Sequence, residues 1–454
     1  MRKPPPDSLP LSQTPTHGSA SETAQEDKLP IHEKTLYGLG SPALGLTNNI
    51  VDNQIQQVLV YGMGMSPALK STIVMIFRLF DAFIDPLMGW ISDNTRTRWG
   101  RRRPYMFVGA ILMMLMMPAV WRFSENWDMT WIAIWFTIGG IILSIATTVY
   151  NIPYQSLRME MTPDYHERTS LNVYASFTVK IVSMAFPWIW AMSQMPFFTG
   201  QAPGEDPNTL LGIRNLSLWF AGLALILGLI PAFVCKERYY RKASALQKEP
   251  FWKSFKLTFH NRPFRMMLIF ILLLNLEGLF MGMGGYLGTY YVWQGDLKQA
   301  AILQGVVGTS SMILGILSLP LFGWLARRYN KERSLLLVVF GQIAMALSIL
   351  VFYNPNWPWL MIVPGTLNGI LFAGLWCIVP SMKADIVDDD ELNTGDRREG
   401  SFESVFSWFQ KASGTVFIGL SGFIVVFVGF DIELKEDQAD GVFRNMILLM
   451  SAIP

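Results

Sequence analysis

The stretch that decides the fold runs from residue 129 to residue 155 and reads MTWIAIWFTIGGIILSIATTVYNIPYQ. It contains no Asp, Glu, Lys or Arg, and it is longer than the roughly 20 apolar residues that a helix needs to cross a bilayer. Its apolar residues are continuous and lack the alternation of a barrel strand. The stretch therefore predicts a transmembrane α-helix.

Similar apolar stretches recur along the chain and account for its composition. Hydrophobic residues make up 51% and charged residues 15% of the chain, whereas soluble domains carry roughly 25% charged residues. This composition excludes a disordered chain and an ordinary soluble enzyme. We expect an all-α polytopic membrane protein with the spans 36–62, 68–92, 105–123, 129–155, 170–196, 214–235, 264–293, 299–326, 334–353, 358–386, 402–430 and an incomplete twelfth from 442 onward.

These spans divide the chain into four regions. Residues 1–34 are rich in Pro, Ser, Thr and charge and are expected to form a disordered cytoplasmic tail without a cleavable signal peptide. Residues 35–235 are expected to form a six-helix bundle and residues 236–262 a basic central loop in the cytoplasm. Residues 263–454 are expected to form the second bundle.

The two halves repeat one short pattern. Gly89-Trp90 closes the second span and Gly323-Trp324 closes the eighth, and basic residues follow in both cases. The offset is 323 − 89 = 234 residues, about half of the chain. Parallel six-helix repeats around a midplane site are typical of the major facilitator fold, which is the architecture that we expect.

The distribution of basic residues predicts the orientation. Most of the 36 Lys and Arg residues lie in the tail and in the loops on its side of the membrane. The opposite loops hold only Lys70, Arg122, Arg214, Lys298, Lys435 and Arg444. By the positive-inside rule, we expect a multi-pass protein of the inner (plasma) membrane with a cytoplasmic N-terminus.

Charged residues inside the second span are functional candidates, because a charge in the bilayer is costly. Asp81 and Asp85 are four residues apart and share one helix face, with Arg78 one turn away. Two neighbouring carboxylates favour a cation between them, so we predict a site for H⁺ or Na⁺. The structural alternative is that Arg78 neutralises one aspartate to hold helices together.

Two further spans carry polar residues that fit such a site. Thr148 and Asn151 share a face of the fourth span and can add oxygen ligands. Their alternative role is to satisfy backbone groups around a kink at Pro153. Lys411 in the eleventh span requires a carboxylate partner, and one of the two aspartates of the second span is the natural one.

The polar face of the first span indicates a hydrophilic substrate. Asn48, Asp52 and several amides lie in this span, which therefore cannot face lipid and is expected to line an aqueous cavity. Such groups hydrogen-bond the hydroxyls of a sugar. Trp376 in the tenth span can pack against the apolar side of a sugar ring, although single membrane Trp residues also belong to interfacial belts.

Two charged clusters lie in loops on the tail's side. Asp93 and Arg101 follow the second span, and Asp385 and Arg398 follow the tenth. We expect ion pairs between the two halves that stabilise one conformation of the protein. The alternative is that both clusters are simply solvated.

Several separated motifs resemble those of the glycoside–pentoside–hexuronide:cation symporters, the melibiose-type family of the major facilitator superfamily. The likeness covers the chain from about Tyr37 onward. It rests on Arg78-x-x-Asp81-x-x-x-Asp85-Pro86-x-x-Gly89, Asn151-Ile152-Pro153-Tyr154, Ala384-Asp385-Ile386-Val387-Asp388 and Lys411.

The resemblance implies a carrier, and not an enzyme, that moves a sugar or glycoside with H⁺ or Na⁺ by alternating access and without a cofactor. It implies a cation site, open to Na⁺ at the two aspartates, made of Asp81, Asp85, Thr148 and Asn151. With the polar first span included, the substrate-binding candidates are Arg78, Trp376, Lys411, Tyr154, Gln155, Asn48 and Asp52.

The sequence also departs from the melibiose-type pattern. Ile84 stands where that pattern has an amide, and Asn151 stands where it has an aspartate. Gln155 replaces a tryptophan and Ser176 replaces an arginine of the fifth span. Because Na⁺ needs several oxygen ligands and Ile84 offers no side-chain oxygen, the departures favour H⁺ as the coupling ion.

The expected partners are a small-molecule substrate and membrane lipid, with no nucleic acid, and we expect a monomer. A carrier of lysolipid or another amphiphile is the alternative with the same fold, since animal relatives of the family move lysolipids. A membrane prenyltransferase that holds Mg²⁺ with an Asp-x-x-x-Asp pattern is an alternative from another class. A substrate-sensing receptor on a carrier scaffold is the last.

Overall fold

The computed structural model describes residues 28–162, 165–201, 208–237, 258–395 and 398–452. This part of the chain is helical and contains no β-strand. The α-helices are α1 Ile31–Gly38, α2 Gly40–Val51, α3 Pro67–Asn94, α4 Arg103–Ala119, α5 Met129–Met161, α6 Tyr165–Ser183, α7 Ile189–Ser193, α8 Pro196–Thr199, α9 Thr209–Val234, α10 Arg262–Tyr286, α11 Leu297–Tyr329, α12 Lys331–Phe352, α13 Ile362–Thr394, α14 Glu399–Phe427 and α15 Val442–Ala452.

Short non-α segments extend four of these helices. π-helical turns follow α2 at Gln56–Gly62 and α10 at Leu287–Val292. A 3₁₀ turn, Phe186–Trp188, follows α6 and another, Pro358–Met361, precedes α13. The predicted span 170–196 is therefore broken near residue 185, where Pro187 removes a backbone donor.

Eight helices in the described residues are long and apolar enough to cross a membrane. The first two predicted spans, 36–62 and 68–92, are not among them. α2 is short and amide-rich, and α3 carries Lys70, Arg78 and three aspartates along its 28 residues. Two apolar helices, α4 and α15, are shorter than the usual length of a span. The hydropathy of α2 and α3 is low because polar residues that line a site replace apolar ones.

The helices pack as two sets, α1–α9 and α10–α15. In the first set, α4 lies against α5 so closely that a Cβ on Gly109 would lie 2.7 Å from the backbone nitrogen of Tyr150. In the second set, α11 runs along α13, and a Cβ on Gly315 would lie 3.0 Å from the carbonyl oxygen of Gly369. Small residues at these positions allow the close approach that membrane helices need.

The helix ends define two faces of the molecule. The N-terminal face holds residues 28–30, the loop after α3, the loop after α5 and the end of α9, which are joined by contacts such as the Arg101–Glu160 pair. The far face holds the loops after α4, α10 and α14 and the beginning of α9. There, Arg214 of α9 donates from Nε to the carbonyl oxygen of Trp121 at 2.8 Å.

The two sets meet mainly through α3 with α14, and through the 3₁₀ turn Phe186–Trp188 and α7 with α11. Near the far face, the backbone N–H of Gly422 donates to Ser71 Oγ at 3.0 Å. On the other side, Trp188 Nε1 donates to Thr309 Oγ1 at 2.8 Å. We call these contacts, together with the Gln57–Gln304 hydrogen bond of 3.4 Å, the far-face seal.

The predicted tail 1–34 is corrected at its end. Residues 1–27 lie outside the described residues, but α1 begins at Ile31, and Leu29 and Lys34 are buried. The cause is Glu167 of α6, which accepts from the N–H of Leu29 at 3.1 Å and pairs with Lys34 Nζ at 2.8 Å. Much of the predicted central loop, residues 238–257, also lies outside the described residues.

Candidate cation and substrate site

The two aspartates of α3 converge on one residue of α5. Thr148 Oγ1 lies 3.0 Å from Asp85 Oδ1 and 3.4 Å from Asp81 Oδ1. The four-residue spacing of the aspartates on one helix face makes this possible. Thr148 is buried, whereas both aspartates are partly accessible. The three side chains present carboxylate and hydroxyl oxygens around one point, as a proton or Na⁺ site requires.

Lys411 of α14 brings a positive charge from the other helix set. Its Nζ donates to Asp85 Oδ2 at 3.1 Å. The sequence left the partner of Lys411 open between two aspartates, and the structure identifies Asp85. The side chain of Lys411 is 71% exposed, so solvent reaches the site although the far face is sealed. The opening is therefore toward the N-terminal face.

Arg78 has a different partner from the one that the sequence suggested. Its NH2 group lies 3.8 Å from Asp52 Oδ2 of the first span. Asp81 forms no ion pair within the described part of the chain. The alternative in which Arg78 neutralises one aspartate of α3 therefore does not describe this conformation, and Asp81 remains available for a cation.

Asn151 and Gln155 follow Thr148 on the same face of α5. Gln155 Nε2 donates to Asn151 Oδ1 at 2.9 Å, and Gln155 is exposed. The described contacts of Asn151 do not include either aspartate. Its role as a fourth cation ligand stays a prediction, as does the role of Gln155 in binding substrate.

Tyr154 was predicted to bind substrate, and the structure contradicts this prediction. Its ring is buried and stacks on Tyr37 with ring centroids 4.7 Å apart. Its hydroxyl donates to the carbonyl oxygen of Tyr37 at 2.8 Å and contacts Ser41 Oγ at 2.8 Å. The reason is helical phase, because position 154 lies about 120° away from Thr148 around α5. Tyr154 packs α5 against the first span.

The polar residues of the first span divide by helix face. Asn48 and Asn53 are exposed and Asp52 is partly exposed, so this side of the first span is not covered by other helices. Gln54 and Gln57 are buried. The role of Asn48 and Asp52 in lining a cavity stays a prediction, while the neighbouring glutamines belong to the packed side.

Trp376 of α13 lines a cavity of about 460 Å³ between the two helix sets. Phe372 lies one turn away, with its ring centroid 6.0 Å from that of Trp376. Lys180 of α6 lines the same cavity from the other set. An aromatic side chain and an ammonium group thus line the same cavity.

The charged cluster after α3 pairs within its own half in this conformation. Arg101 donates to Glu160 Oε1 at 2.5 Å, and Arg102 donates to Glu160 at 3.1 Å and also pairs with Asp93. We predicted pairs between the halves for Asp93 and Arg101. The cause of the difference is Glu160, a buried carboxylate at the end of α5 that the prediction overlooked.

The cluster after α13 behaves in the same way. Asp385 pairs with Lys331 of α12 at 2.7 Å, and Arg398 pairs with Asp390 at 2.6 Å. Both pairs lie within the second helix set. Ion pairs between the halves stay a prediction for the opposite conformation, in which the N-terminal face closes.

Two residues of interest were missed by sequence reasoning. Ser144 lies one turn before Thr148 on the same face of α5, on the side of Asp81. The spacing 144, 148, 151 on one helix face was the available signal. Glu277 of α10 is a carboxylate in the middle of an apolar helix. A single charged residue within an apolar span is the sequence feature that could have identified it.

The described residues contain no group of three or more His, Cys, Asp or Glu side chains placed to hold a metal ion. A cation at Asp81 and Asp85 would therefore rely on two carboxylates and the hydroxyl of Thr148. Ile84 lies between the two aspartates and adds no side-chain oxygen. This donor set suits a proton well and Na⁺ less well.

Comparison with known proteins identifies the family of this chain. Residues 36–454 match the family described as MFS/sugar transport protein. The chain is 27% identical to an uncharacterized symporter, sll1374, of Synechocystis, across 95% of this chain and 93% of the relative. It is 25% identical to the isoprimeverose transporter of Lactiplantibacillus pentosus, across 87% of this chain and 80% of the relative.

A solved structure shows the same fold. The crystal structure of a point mutant of the nucleoside transporter NupG superposes with a TM-score of 0.68 at 13% identity, covering 93% of this chain and 96% of that one. The predicted major facilitator fold is confirmed. These proteins are transporters and not enzymes, so the prenyltransferase alternative is set aside. The chain is a multi-pass membrane protein that belongs to the MFS/sugar transport protein family.

Proposed function

We propose that this chain is a secondary carrier that moves a sugar or glycoside together with H⁺ or Na⁺. The observation that carries the proposal is the contact between Lys411 and Asp85, since it joins the two helix sets at the predicted cation site. The exposed amides of the first span and the Trp376 cavity support a polyhydroxylated substrate. The isoprimeverose transporter among the relatives belongs to the same class of carrier.

Coupling follows from competition for Asp85. Without a bound cation, Lys411 neutralises Asp85 and allows the empty carrier to change conformation. A proton or Na⁺ on the aspartates displaces the Lys411 ammonium and frees it to bind substrate. Loading of the ion and of the sugar are then linked through one side chain. Movement of the two helix sets about the midplane site completes alternating access.

H⁺ is the coupling ion that the donor set favours. Thr148 and the two carboxylates supply the side-chain oxygens, whereas Ile84 supplies none. Na⁺ would need Asn151 or backbone oxygens in addition. No resident cofactor is needed for either ion.

The proposal also covers the orientation of the protein and the membrane in which it lies. The N-terminal face carries most of the Lys and Arg residues, so it is proposed to be cytoplasmic, in a plasma or inner membrane. The conformation, closed on the far face, is then inward-facing. We propose a monomer in lipid, since one chain contains both helix sets and the complete candidate site.

The test is external pH in a lightly buffered suspension of de-energised cells that express the protein. Addition of glycosides, pentosides or uronides, with and without Na⁺, is expected to cause alkalinisation with one class of compound. Asp85→Asn should abolish ion-driven accumulation while sparing some exchange, because the site can no longer change its charge. Asp437→Asn, in an exposed loop of the far face, is the matched control.

Each outcome separates the alternatives. Na⁺-dependent uptake without a pH change would assign Na⁺ as the coupling ion. Unchanged accumulation in Asp85→Asn would contradict the coupling role of this site. Uptake of lysolipids and of no sugar would favour the amphiphile alternative, which the polar face of the first span argues against.

A further inference from the structure

Lys180 is a charged residue in the middle of the membrane that the coupling mechanism does not use. The helical segment Ser170–Ser193 is one of the candidate spans. At 1.5 Å per residue, Lys180 lies about 15 Å from the first of these residues and about 20 Å from the last. A lysine side chain cannot cover either distance to reach an interface. A charge at this depth is expected to have a functional role.

The position of Lys180 relative to the far-face seal is well defined. One turn farther along α6, Ser183 Oγ lies 3.7 Å from Met312 Sδ of α11. The next contact is closer, since a Cβ on Gly308 would lie 2.4 Å from the ring of Pro187. Lys180 is therefore the last charged residue of α6 before the seal, at the closed end of the inward-facing opening.

The cavity beside Lys180 is shaped by both helix sets. Its wall on the second set combines glycine and other small residues with large apolar side chains, and it includes the exposed face of Trp376. The volume of about 460 Å³ is enough for a mono- or disaccharide. The lining residues include no Asp or Glu, so Lys180 is the one ionised group that contacts this space within the described residues.

Two of the other midplane cations already have carboxylate partners. Arg78 lies 3.8 Å from Asp52, and Lys411 lies 3.1 Å from Asp85. Each pair is electrically neutral. These four residues therefore add no net charge to the central site, whether Lys411 contacts Asp85 or the substrate.

Asp81 and Lys180 are charged residues near the midplane that are not members of these two ion pairs. Asp81 has no ion-pair partner among the described residues, and the proposed coupling ion neutralises it. The side chain of Lys180 also lacks a hydrogen-bond or ion-pair partner there. Glu277 of α10 is another carboxylate near the midplane, and it does not line the cavity. It lies about 160° around α10 from Asn275, whose side chain hydrogen-bonds Ser413 of α14. The ion-loaded site therefore carries one uncompensated positive charge.

We propose that Lys180 makes this carrier selective for a sugar that bears a single negative charge, with the carboxylate of a sugar acid or uronide bound to Lys180 and the ring against Trp376. The inference rests on the proposed function and specifies its substrate class. A neutral glycoside would leave a desolvated ammonium unpaired in the membrane, whereas a carboxylate satisfies it. The coupling ion and the substrate would together bring no net charge when the ion is monovalent.

The test compares two compounds that differ only at carbon six. Methyl β-D-glucuronide carries a carboxylate, and methyl β-D-glucoside carries a hydroxymethyl group. Binding of each is measured with the full-length protein in lipid nanodiscs, by calorimetry or by quenching of Trp fluorescence, so that transport is not required. The variants are Lys180→Gln, Lys180→Arg and, as a control on the far face, Lys435→Gln.

The wild-type protein is expected to bind the glucuronide about 10- to 100-fold more tightly than the glucoside, which is the usual strength of a charge-assisted hydrogen bond. Lys180→Gln should remove this preference, and Lys180→Arg and Lys435→Gln should retain it. A preference that survives in Lys180→Gln, or equal binding of both compounds by the wild type, would overturn the inference.

The inference and the proposed function fail in different ways. Equal binding of both sugars, with ion-driven uptake of either, would overturn the role of Lys180 and leave sugar symport intact. Binding of neither compound would also overturn the inference. In that case the absence of any sugar-dependent ion movement in the pH assay would remove the proposed function as well.

Discussion

At the scale of single residues, the hydroxyl of Thr148 is the sharpest test of the cation site. It is buried and contacts both aspartates, at 3.0 and 3.4 Å. Thr148→Val keeps the shape of the side chain and removes the hydrogen bonds. Hydrogen bonds to charged groups contribute about 1.5–3 kcal/mol, and a hydroxyl that donates to a carboxylate favours its charged form over its protonated form. If H⁺ is the coupling ion, the proton concentration for half-maximal uptake should therefore fall roughly tenfold or more, whereas the Na⁺ concentration for half-maximal uptake should rise by a similar factor, because Na⁺ loses an oxygen ligand.

Initial uptake rates at varied pH and Na⁺ concentration measure this change. Thr148→Ser retains the hydroxyl and should behave like the wild type. Thr137→Val is a matched control in the same helix, since Thr137 bonds only the carbonyl oxygen of Ala133 at 2.7 Å. An unchanged cation dependence in Thr148→Val would show that this hydroxyl is no part of the site.

Residue spacing made the core of this site predictable, and helical phase explains what was missed. Positions 81 and 85 share a face, as do 148, 151 and 155, so their grouping follows from 3.6 residues per turn. Tyr154 belongs to the other face of α5 and packs on Tyr37. The partner of Arg78 depends on how the first span packs against α3, which one sequence without tertiary contacts does not determine.

At the scale of elements, the contact between α3 and α14 decides whether the far face is closed. A Cβ on Gly422 would lie 2.0 Å from the carbonyl oxygen of Pro67 and 2.4 Å from Ser71 Oγ. The first of these neighbours is backbone and cannot move away by a rotamer change. Gly422→Ala should therefore prevent α14 from docking here and shift the protein toward a conformation that is open on the far face.

Cysteine accessibility measures this shift. Gln57 is buried at the far-face seal, so Gln57→Cys in a background without Cys235 and Cys377 should label slowly with a membrane-impermeant maleimide. Gly422→Ala should raise the labelling rate several-fold. Gly222→Ala, at a membrane glycine with open space around it, should have no effect. Equal rates in both variants would contradict the role of this contact.

Some helices were predicted from the sequence more accurately than others, and the difference has a physical reason. α5, α9 and α12 are continuous apolar helices, and their hydropathy identified them. The first span was predicted as one helix over 36–62, but it is divided into α1, α2 and a π-helical turn. A π turn also follows α10, at the matching place in the second set. Such turns depend on packing between the halves, as Tyr61 against Tyr286 shows, and periodicity does not report them.

At the scale of the whole molecule, alternating access requires each helix set to move as a unit. In the first set, the buried Glu160 holds Arg101 and Arg102 at the N-terminal face. The loop that carries these arginines is also fixed by Glu237 after α9, whose carboxylate accepts from the backbone N–H groups of Arg101 and Arg102 at 2.8 Å each. The network thus joins α3, α4, α5 and α9 without crossing to the second set.

This arrangement predicts a large effect of Glu160 on stability. Glu160→Gln would remove the buried carboxylate that Arg101 and Arg102 share, although Asp93 still pairs with Arg102. Removing one partner of a buried ion pair costs about 3–5 kcal/mol. The thermal midpoint of the detergent-solubilised protein should fall on the order of 10 °C. Glu403→Gln removes a carboxylate that pairs with Lys383 at an exposed position, where an ion pair contributes only about 0–1 kcal/mol, so its midpoint should hardly change.

The two variants also distinguish a rigid half from a conformational lock between halves. If the Arg101–Glu160 network only stabilises the first helix set, Glu160→Gln should lower the thermal midpoint while the labelling rate at the far face stays at the wild-type value. If the network controls which face is open, the labelling rate should change together with the midpoint. Because each of these ion pairs lies within one half, we expect the first result. A labelling rate that changes together with the thermal midpoint would instead support the original prediction, in which Arg101 forms ion pairs between the halves.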